Sequence, residues 1–243
     1  LSVNFGKQQT LNAQRPTLNI QFQNMRITLT SYIDVVSSWC FWSEPAWAEL
    51  KKRYEGRVAF QWKIALMDPK GLPTSREQEQ WFYRRSGMMM RSRFMLNTDW
   101  YDASLPEWLP PNCVAEAAKD FEITDDRVRL ALAHAALREG KKVAEWDIAG
   151  QIGADAGKID KKELLQRAKS SEVEKRIRAS TAEFHALQVT QRPMFLIDTE
   201  IGDRAVFSGV VKFEPLAATL DSLLEDAAAY TAHAAHFGAP PVN

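Results

Sequence analysis

The sequence predicts an α/β fold in which a βαβ unit and a ββα unit are separated by a long helical block. Three observations carry that reading. The string "MRITLTSYIDVV" is rich in β-branched and aromatic residues, which suit a strand, and Trp47, Leu50 and Tyr54 follow it at helical spacing. From about residue 74 to residue 188, apolar side chains recur at three- and four-residue intervals between polar breaks. Strand signals return only at "PMFLID", residues 193–198, and "AVFSGV", residues 205–210.

Each element can be justified in chain order. Residues 1–24 are polar and aperiodic and read as a flexible leader, with Met25 as a natural start. The first strand runs into a helix that Gly56 ends, and "GRVAFQWKIALM" supplies a second strand from Val58. A short strand–helix–strand return makes the two strands parallel with a right-handed crossover. "DPKGLP" then marks a loop.

The block that follows reads as four or five helices. Starts are legible at Thr124 before Asp125 and Asp126, at Asp160 with Glu163 three later, and at Ser171 with Glu174 three later. Stripes such as Val128, Leu132 and Ala135, or Val173, Ile177 and Phe184, need a surface to cover. No Gly/Ser/Pro-rich linker flanks the block, so it reads as an insertion into the domain. The turn-like "TEIGDR" makes the last two strands an antiparallel hairpin, and Leu216, Leu220, Leu223 and Leu224 mark a final helix. The expected division is one domain from 25–73 and 189–230, a helical insertion over 74–188, and a tail over 231–243.

Composition narrows the function classes. Of 243 residues, 45% are hydrophobic and 26% charged, as in an ordinary globular protein. Lys+Arg and Asp+Glu balance at 31 each, which argues against a nucleic-acid or anionic-membrane partner. No window approaches the roughly 18 apolar residues of a membrane span, and no basic-then-apolar export signal is present, so a cytoplasmic location is expected. Two cysteines make neither a disulfide framework nor a tetrahedral metal site. His134, His185, His233 and His236 lack ligand spacing, so no metal is expected.

The string "DVVSSWCFWSEP" raises the chemical question, because it puts Cys40 between tryptophans at a strand-to-helix seam. Free N–H groups and the positive end of a helix dipole favour a thiolate there. Cys40 is therefore a candidate nucleophile, and its pKa is expected below the usual thiol value. A small, buried, apolar side chain is the alternative role.

Three strings together carry a resemblance: "DVVSSWCFWS" at 34–43, "PPNCVAEAAK" at 110–119, and "VTQRPMFLID" at 189–198. Their order resembles the thioredoxin fold of the DsbA-like family, over roughly residues 26–228. That family includes DsbA-type thiol oxidoreductases, kappa-class glutathione transferases and 2-hydroxychromene-2-carboxylate isomerases. The resemblance implies a thioredoxin-like βαβ–ββα fold with an inserted all-helical subdomain. In place of the oxidoreductases' Cys-x-x-Cys, this chain has Cys40-Phe41-Trp42-Ser43. Cys40 is then the nucleophile, and Ser43 donates to its thiolate.

The resemblance also implies a cis peptide before Pro193, with the Arg192 guanidinium beside the sulfur. Ser37, Trp39, Trp42 and Asn112 would border the substrate or glutathione. Cys113, at the serine position of the family's Pro-x-Asn-Ser segment, would be a remote resolving thiol. Val210-Val211 stand where kappa-class transferases carry a Ser-Asp pair for the γ-glutamyl end of glutathione. Met88, Met89 and Met90 read as ordinary packing.

Three functions follow. The leading one is a thiol-disulfide oxidoreductase using the single cysteine of a Cys-x-x-Ser motif on protein thiols, disulfides or glutathione. The second is a glutathione-dependent transferase or isomerase acting on a small organic substrate. The third is a non-catalytic binding protein with a Trp-rich interaction loop. No tightly bound cofactor is expected, glutathione is the exchangeable thiol implied, and a homodimer is compatible with all three.

Overall fold

The computed structural model describes residues 26–68, 72–105, 108–209 and 212–238. Four strands form one sheet in the order β2-β1-β3-β4, from β1 (Ile27–Ile33), β2 (Val58–Ile64), β3 (Met194–Thr199) and β4 (Arg204–Ser208). β1 runs parallel to β2, with Ile27 opposite Val58, and antiparallel to β3, with Ile27 opposite Thr199. β3 and β4 form the expected antiparallel hairpin.

Alternation along β1 sends its side chains to two different packing layers. Ile27 and Leu29 pack with Phe195 and Ile197 of β3, with Trp47 and Leu50 of α1 (Ser38–Arg53), and with Leu216 and Leu220 of α8 (Phe213–Phe237). Tyr32 points the other way, with Met194 and Leu196, onto Phe184 of α7 (Ser171–Ala186). Leu50 and Leu220 are fully buried, worth about 2 kcal/mol each by transfer. This sheet fixes the point at which β1 hands over to α1.

Between β2 and β3 the described residues form six α-helices, more than the four or five expected: α2 (Arg76–Met89), α3 (Leu109–Ala118), α4 (Arg127–Leu137), α5 (Trp146–Gly157), α6 (Lys161–Ala168) and α7. The extra boundaries are made by short connections, such as Lys158 in the left-handed region at the end of α5. Asp160 caps α6 by accepting from the Glu163 N–H at 3.0 Å, as its spacing predicts. Ser170 caps α7 rather than Ser171, and α4 starts at Arg127 without a side-chain cap.

Two other expectations change. The final helix continues to Phe237, because the alanine-rich run 227–235 favours helix and Gly238, at φ +77°, is the residue that ends it. Most of the expected tail is therefore helical. Met88 and Met89 are exposed at 79% and 67%, not packed, because the end of α2 has no layer over that face. The leader 1–24 and Val210-Val211 lie outside the described residues. No described helix is long and apolar enough to cross a membrane.

Candidate active site

The turn from β1 to α1 is held by buried polar side chains. Asp34 is 3% exposed, and its carboxylate accepts from the Val36 N–H at 3.1 Å, the Met67 N–H at 3.1 Å and Asn112 Nδ2 at 3.2 Å. Asn112, in the first turn of α3, accepts from the Val35 N–H at 3.0 Å and donates a further bond to the Trp108 carbonyl at 3.1 Å. Burial raises the Asp34 pKa, and the donors around it pull the other way. Asn112 is fully buried, so it positions the loop and does not border a ligand as expected.

That clamp delivers Ser37 to the N-cap of α1. Its backbone is extended there, and its Oγ accepts from the Cys40 N–H at 3.4 Å. The N–H groups of Ser38 and Trp39, in the same turn, have no intrahelical carbonyl to donate to. Cys40 lies one turn further in. It is 3% exposed and packs with Ile33, Trp62, Ile64 and Cys113 in the core beneath α3.

This overturns the expected thiolate. Burial pushes the Cys40 thiol up to about 12, the Ser37 hydroxyl offsets only part of that, and the Asp34 and Glu44 carboxylates add to it. A thiol with that pKa is almost wholly protonated at neutral pH. Ser43 does not compensate, because its hydroxyl donates to the Cys40 carbonyl at 2.7 Å, not to the sulfur. The reason is helical geometry: the position three residues after the cap points into the core. Cys113 is likewise a reduced thiol, 3% exposed and in the same core cluster, so neither thiol is open to solvent.

The Arg192–Pro193 peptide bond is cis, as predicted. Among the described residues the backbone N–H and C=O of Arg192 have no hydrogen-bond partner, whereas the Pro193 carbonyl accepts from the Gly209 N–H at 2.9 Å. The Arg192 side chain departs from expectation. Its guanidinium donates to the carbonyls of Ala65, Leu66 and Thr190 and lies over the Phe184 ring, 4.3 Å from the centroid. It ties the loop before β3 to the end of β2, so its donors are spent on the backbone and not on an anionic substrate. Burial lowers its pKa.

A cavity of about 230 Å³ opens over the α1 N-terminus. Ser37, Ser38 and Trp39 line it beside Thr190, Gln191 and Arg192, which precede the cis-proline, and Trp108, which precedes α3. Met67 and Asp68 after β2, Glu79, Phe82 and Arg85 from α2, and Val36 and Pro73 complete the walls. Trp42 is not among them. It is 8% exposed and donates through Nε1 to Ser86 Oγ at 3.0 Å, joining α1 to α2.

The chain of residues 28–221 matches the model of the DSBA-like thioredoxin domain. The protein belongs to the DSBA-like thioredoxin domain family. Solved structures agree on the fold. The cytosolic disulfide reductase DsbM from Pseudomonas aeruginosa is similar with a TM-score of 0.66 at 17% identity, over 82% of this chain and 98% of that one. The same enzyme with GSH gives 0.64 at 16%, over 82% and 99%. A 2-hydroxychromene-2-carboxylate isomerase gives 0.58 at 11%, over 84% and 98%. At these identities the likenesses show fold alone, and no curated protein matches the sequence.

The sequence reading centres the chemistry on Cys40, which is buried, whereas the cavity opens at Ser37, three residues earlier. Ser37 had been assigned only to binding, and Cys40 held the centre. The signal for Ser37 was present: a serine between a β-branched run and the first helical residues is an N-cap pattern. Glu79, Phe82 and Arg85 were missed altogether. They recur every three residues on α2, but the sequence does not say which face of an inserted helix looks onto a distant strand end.

Proposed function

We propose that the protein binds glutathione at the N-terminus of α1 and uses it to transform a small organic substrate, as a glutathione-dependent isomerase or transferase. The observation that carries this reading is the placement of a hydroxyl, and not a thiol, where the cavity meets the helix N-terminus. Ser37 Oγ spends one lone pair on the Cys40 N–H and keeps its O–H to donate. A ligand thiol at that point meets a hydroxyl donor, first-turn N–H groups and the helix dipole, all of which favour its thiolate.

The unpartnered N–H and C=O of Arg192 fit an extended cysteinyl backbone laid along the cis-proline loop. The rest of the cavity suits a small conjugated molecule, with apolar surface from Trp39, Met67, Phe82 and Trp108 and a cation at Arg85. The GSH-bound DsbM structure and the isomerase likeness are consistent with this choice. The burial of Cys40 counts against the single-cysteine oxidoreductase.

Calorimetric titration with reduced and oxidised glutathione, followed by mass spectrometry of the intact chain, tests the reading. Reversible binding of the reduced tripeptide without covalent adduct is the expected result. A dithiothreitol-releasable adduct on Cys40, or no binding of either form, would overturn it.

A further inference from the structure

Glu79 is the unusual group in the cavity wall. It sits in the first half of α2, is only 6% exposed, and lines the same cavity as Ser37. Among the described residues its surroundings supply one hydroxyl, that of Tyr83 one turn along α2, and no counter-ion. Tyr83 is itself held in place, accepting from Trp100 Nε1 at 3.0 Å. Other buried carboxylates of the chain are provided for: Glu44 meets Arg129 and Glu116 meets Lys119 and Arg176. Among the described residues Glu79 has no such partner.

We propose that Glu79 is the catalytic proton carrier of this site, taking the proton of the bound thiol and returning it to the reacting molecule or to water. The proposal rests on the glutathione-binding reading and adds to it a second group, supplied by the inserted helices. Ser37 has a hydroxyl that can stabilise a thiolate but no means of accepting a proton at neutral pH, so the S–H proton needs a destination. Glu79 lines the same cavity as Ser37 and is the carboxylate there whose surroundings favour taking up a proton near neutrality.

The step balances simply. The S–H bond breaks, the proton moves to a Glu79 oxygen, and sulfur keeps the electron pair. With an activated aryl chloride as electrophile, that pair forms the C–S bond, the C–Cl bond breaks, and chloride leaves with its electrons. Glu79 then passes its proton to water and is a carboxylate again. With a substrate whose double bond accepts the sulfur pair, the same proton goes to the carbon or oxygen that gains charge.

Burial raises the Glu79 pKa to about 7, with Tyr83 opposing. A base with that pKa is poised for proton transfer near neutrality. The groups that face it are few. Tyr83 on its own helix and Tyr101 from the segment after α2 both have raised pKa values, partly because of the Glu79 charge, and stay neutral. Asp68 before α2, Arg85 on α2 and Arg192 before β3 are the other charged groups lining the cavity.

The test is glutathione conjugation to the activated aryl chloride, measured against pH for the full chain and for Glu79→Gln and Glu79→Asp. A base must be ionised to act, so the wild-type rate should rise as pH passes about 7. Glu79→Gln should lower kcat by about 100-fold or more, leave KM for glutathione unchanged, and abolish that rise. Glu79→Asp should keep the rise at a reduced rate. Calorimetry on each variant reports whether glutathione still binds. A Glu79→Gln protein that binds glutathione and keeps the wild-type rate and pH profile would overturn this role while leaving the glutathione reading intact. A wild-type protein that binds no glutathione would overturn both.

Discussion

Asp34, in the turn from β1 to α1, and Glu79, in the cavity wall, are both buried carboxylates, and burial raises the pKa of each. Their surroundings differ completely. Asp34 accepts from two backbone N–H groups and the Asn112 amide, whereas Glu79 meets a single tyrosine hydroxyl. One is tied into a clamp that sets where Ser37 stands. The other, among the described residues, meets no cation and takes up a proton near neutrality instead.

The sharpest way to break that comparison is to remove the clamp. Asn112→Ala should leave the buried Val35 N–H without a partner and take one donor each from the Trp108 carbonyl and the Asp34 carboxylate, which keeps the Val36 and Met67 N–H groups. The expected loss is about 3–5 kcal/mol of stability, read by chemical denaturation. A loss below about 1 kcal/mol, the net value of one ordinary hydrogen bond, would mean that the clamp is not what holds the turn.

The next test acts on the other carboxylate and should have the opposite sign. Burial holds the Glu79 pKa at about 7 in the folded protein, above the ordinary glutamate value of 4.5. Its contribution to stability is therefore fully present below about pH 4.5 and is lost as pH rises through 7. A shift of that size corresponds to about 3 kcal/mol. Glu79→Gln should remove this pH dependence and be more stable than wild type at pH 8, with the two converging in acid. Parallel stability curves across that range would contradict the assigned environment.

A smaller effect is expected at the cap. Ser37→Ala removes the side-chain acceptor of the Cys40 N–H and should cost about 1 kcal/mol. Ser37→Cys sharpens the contrast within the motif, because it creates Cys-x-x-Cys with Cys40 in the inner position. That variant should gain dithiothreitol-dependent reduction of insulin that wild type lacks. Equal activity in both would show that the native motif already works as a thiol oxidoreductase.

How much of this was legible beforehand follows from the range of each interaction. β1, α1 and β2 could be read because β-branched runs and the Trp47, Leu50, Tyr54 spacing are local patterns. The cis bond before Pro193 came through the resemblance carried by "VTQRPMFLID". The insertion was legible as helical, but not in helix number, because short polar breaks do not distinguish a kink from a new helix. Cys40 departs from its reading for a physical reason: a thiol beside a helix start is reactive only where the core does not cover it, and Cys40 is 3% exposed within the core beneath α3, which no local pattern shows. Arg192 was read as free to reach the sulfur, yet its donors find carbonyls on β2's far end, a contact between segments more than a hundred residues apart in sequence. Glu79 has no local signature at all.

The central claim is that the Ser37 hydroxyl, and not the Cys40 thiol, is the working group at the α1 N-terminus. Its most direct test is the ultraviolet thiolate absorbance of glutathione bound to wild type, Ser37→Ala and Cys40→Ala, titrated with pH. The account predicts a bound-thiol pKa below that of free glutathione in wild type and in Cys40→Ala, and a pKa returned to the free value in Ser37→Ala. A depressed pKa that survives Ser37→Ala and disappears in Cys40→Ala would contradict it.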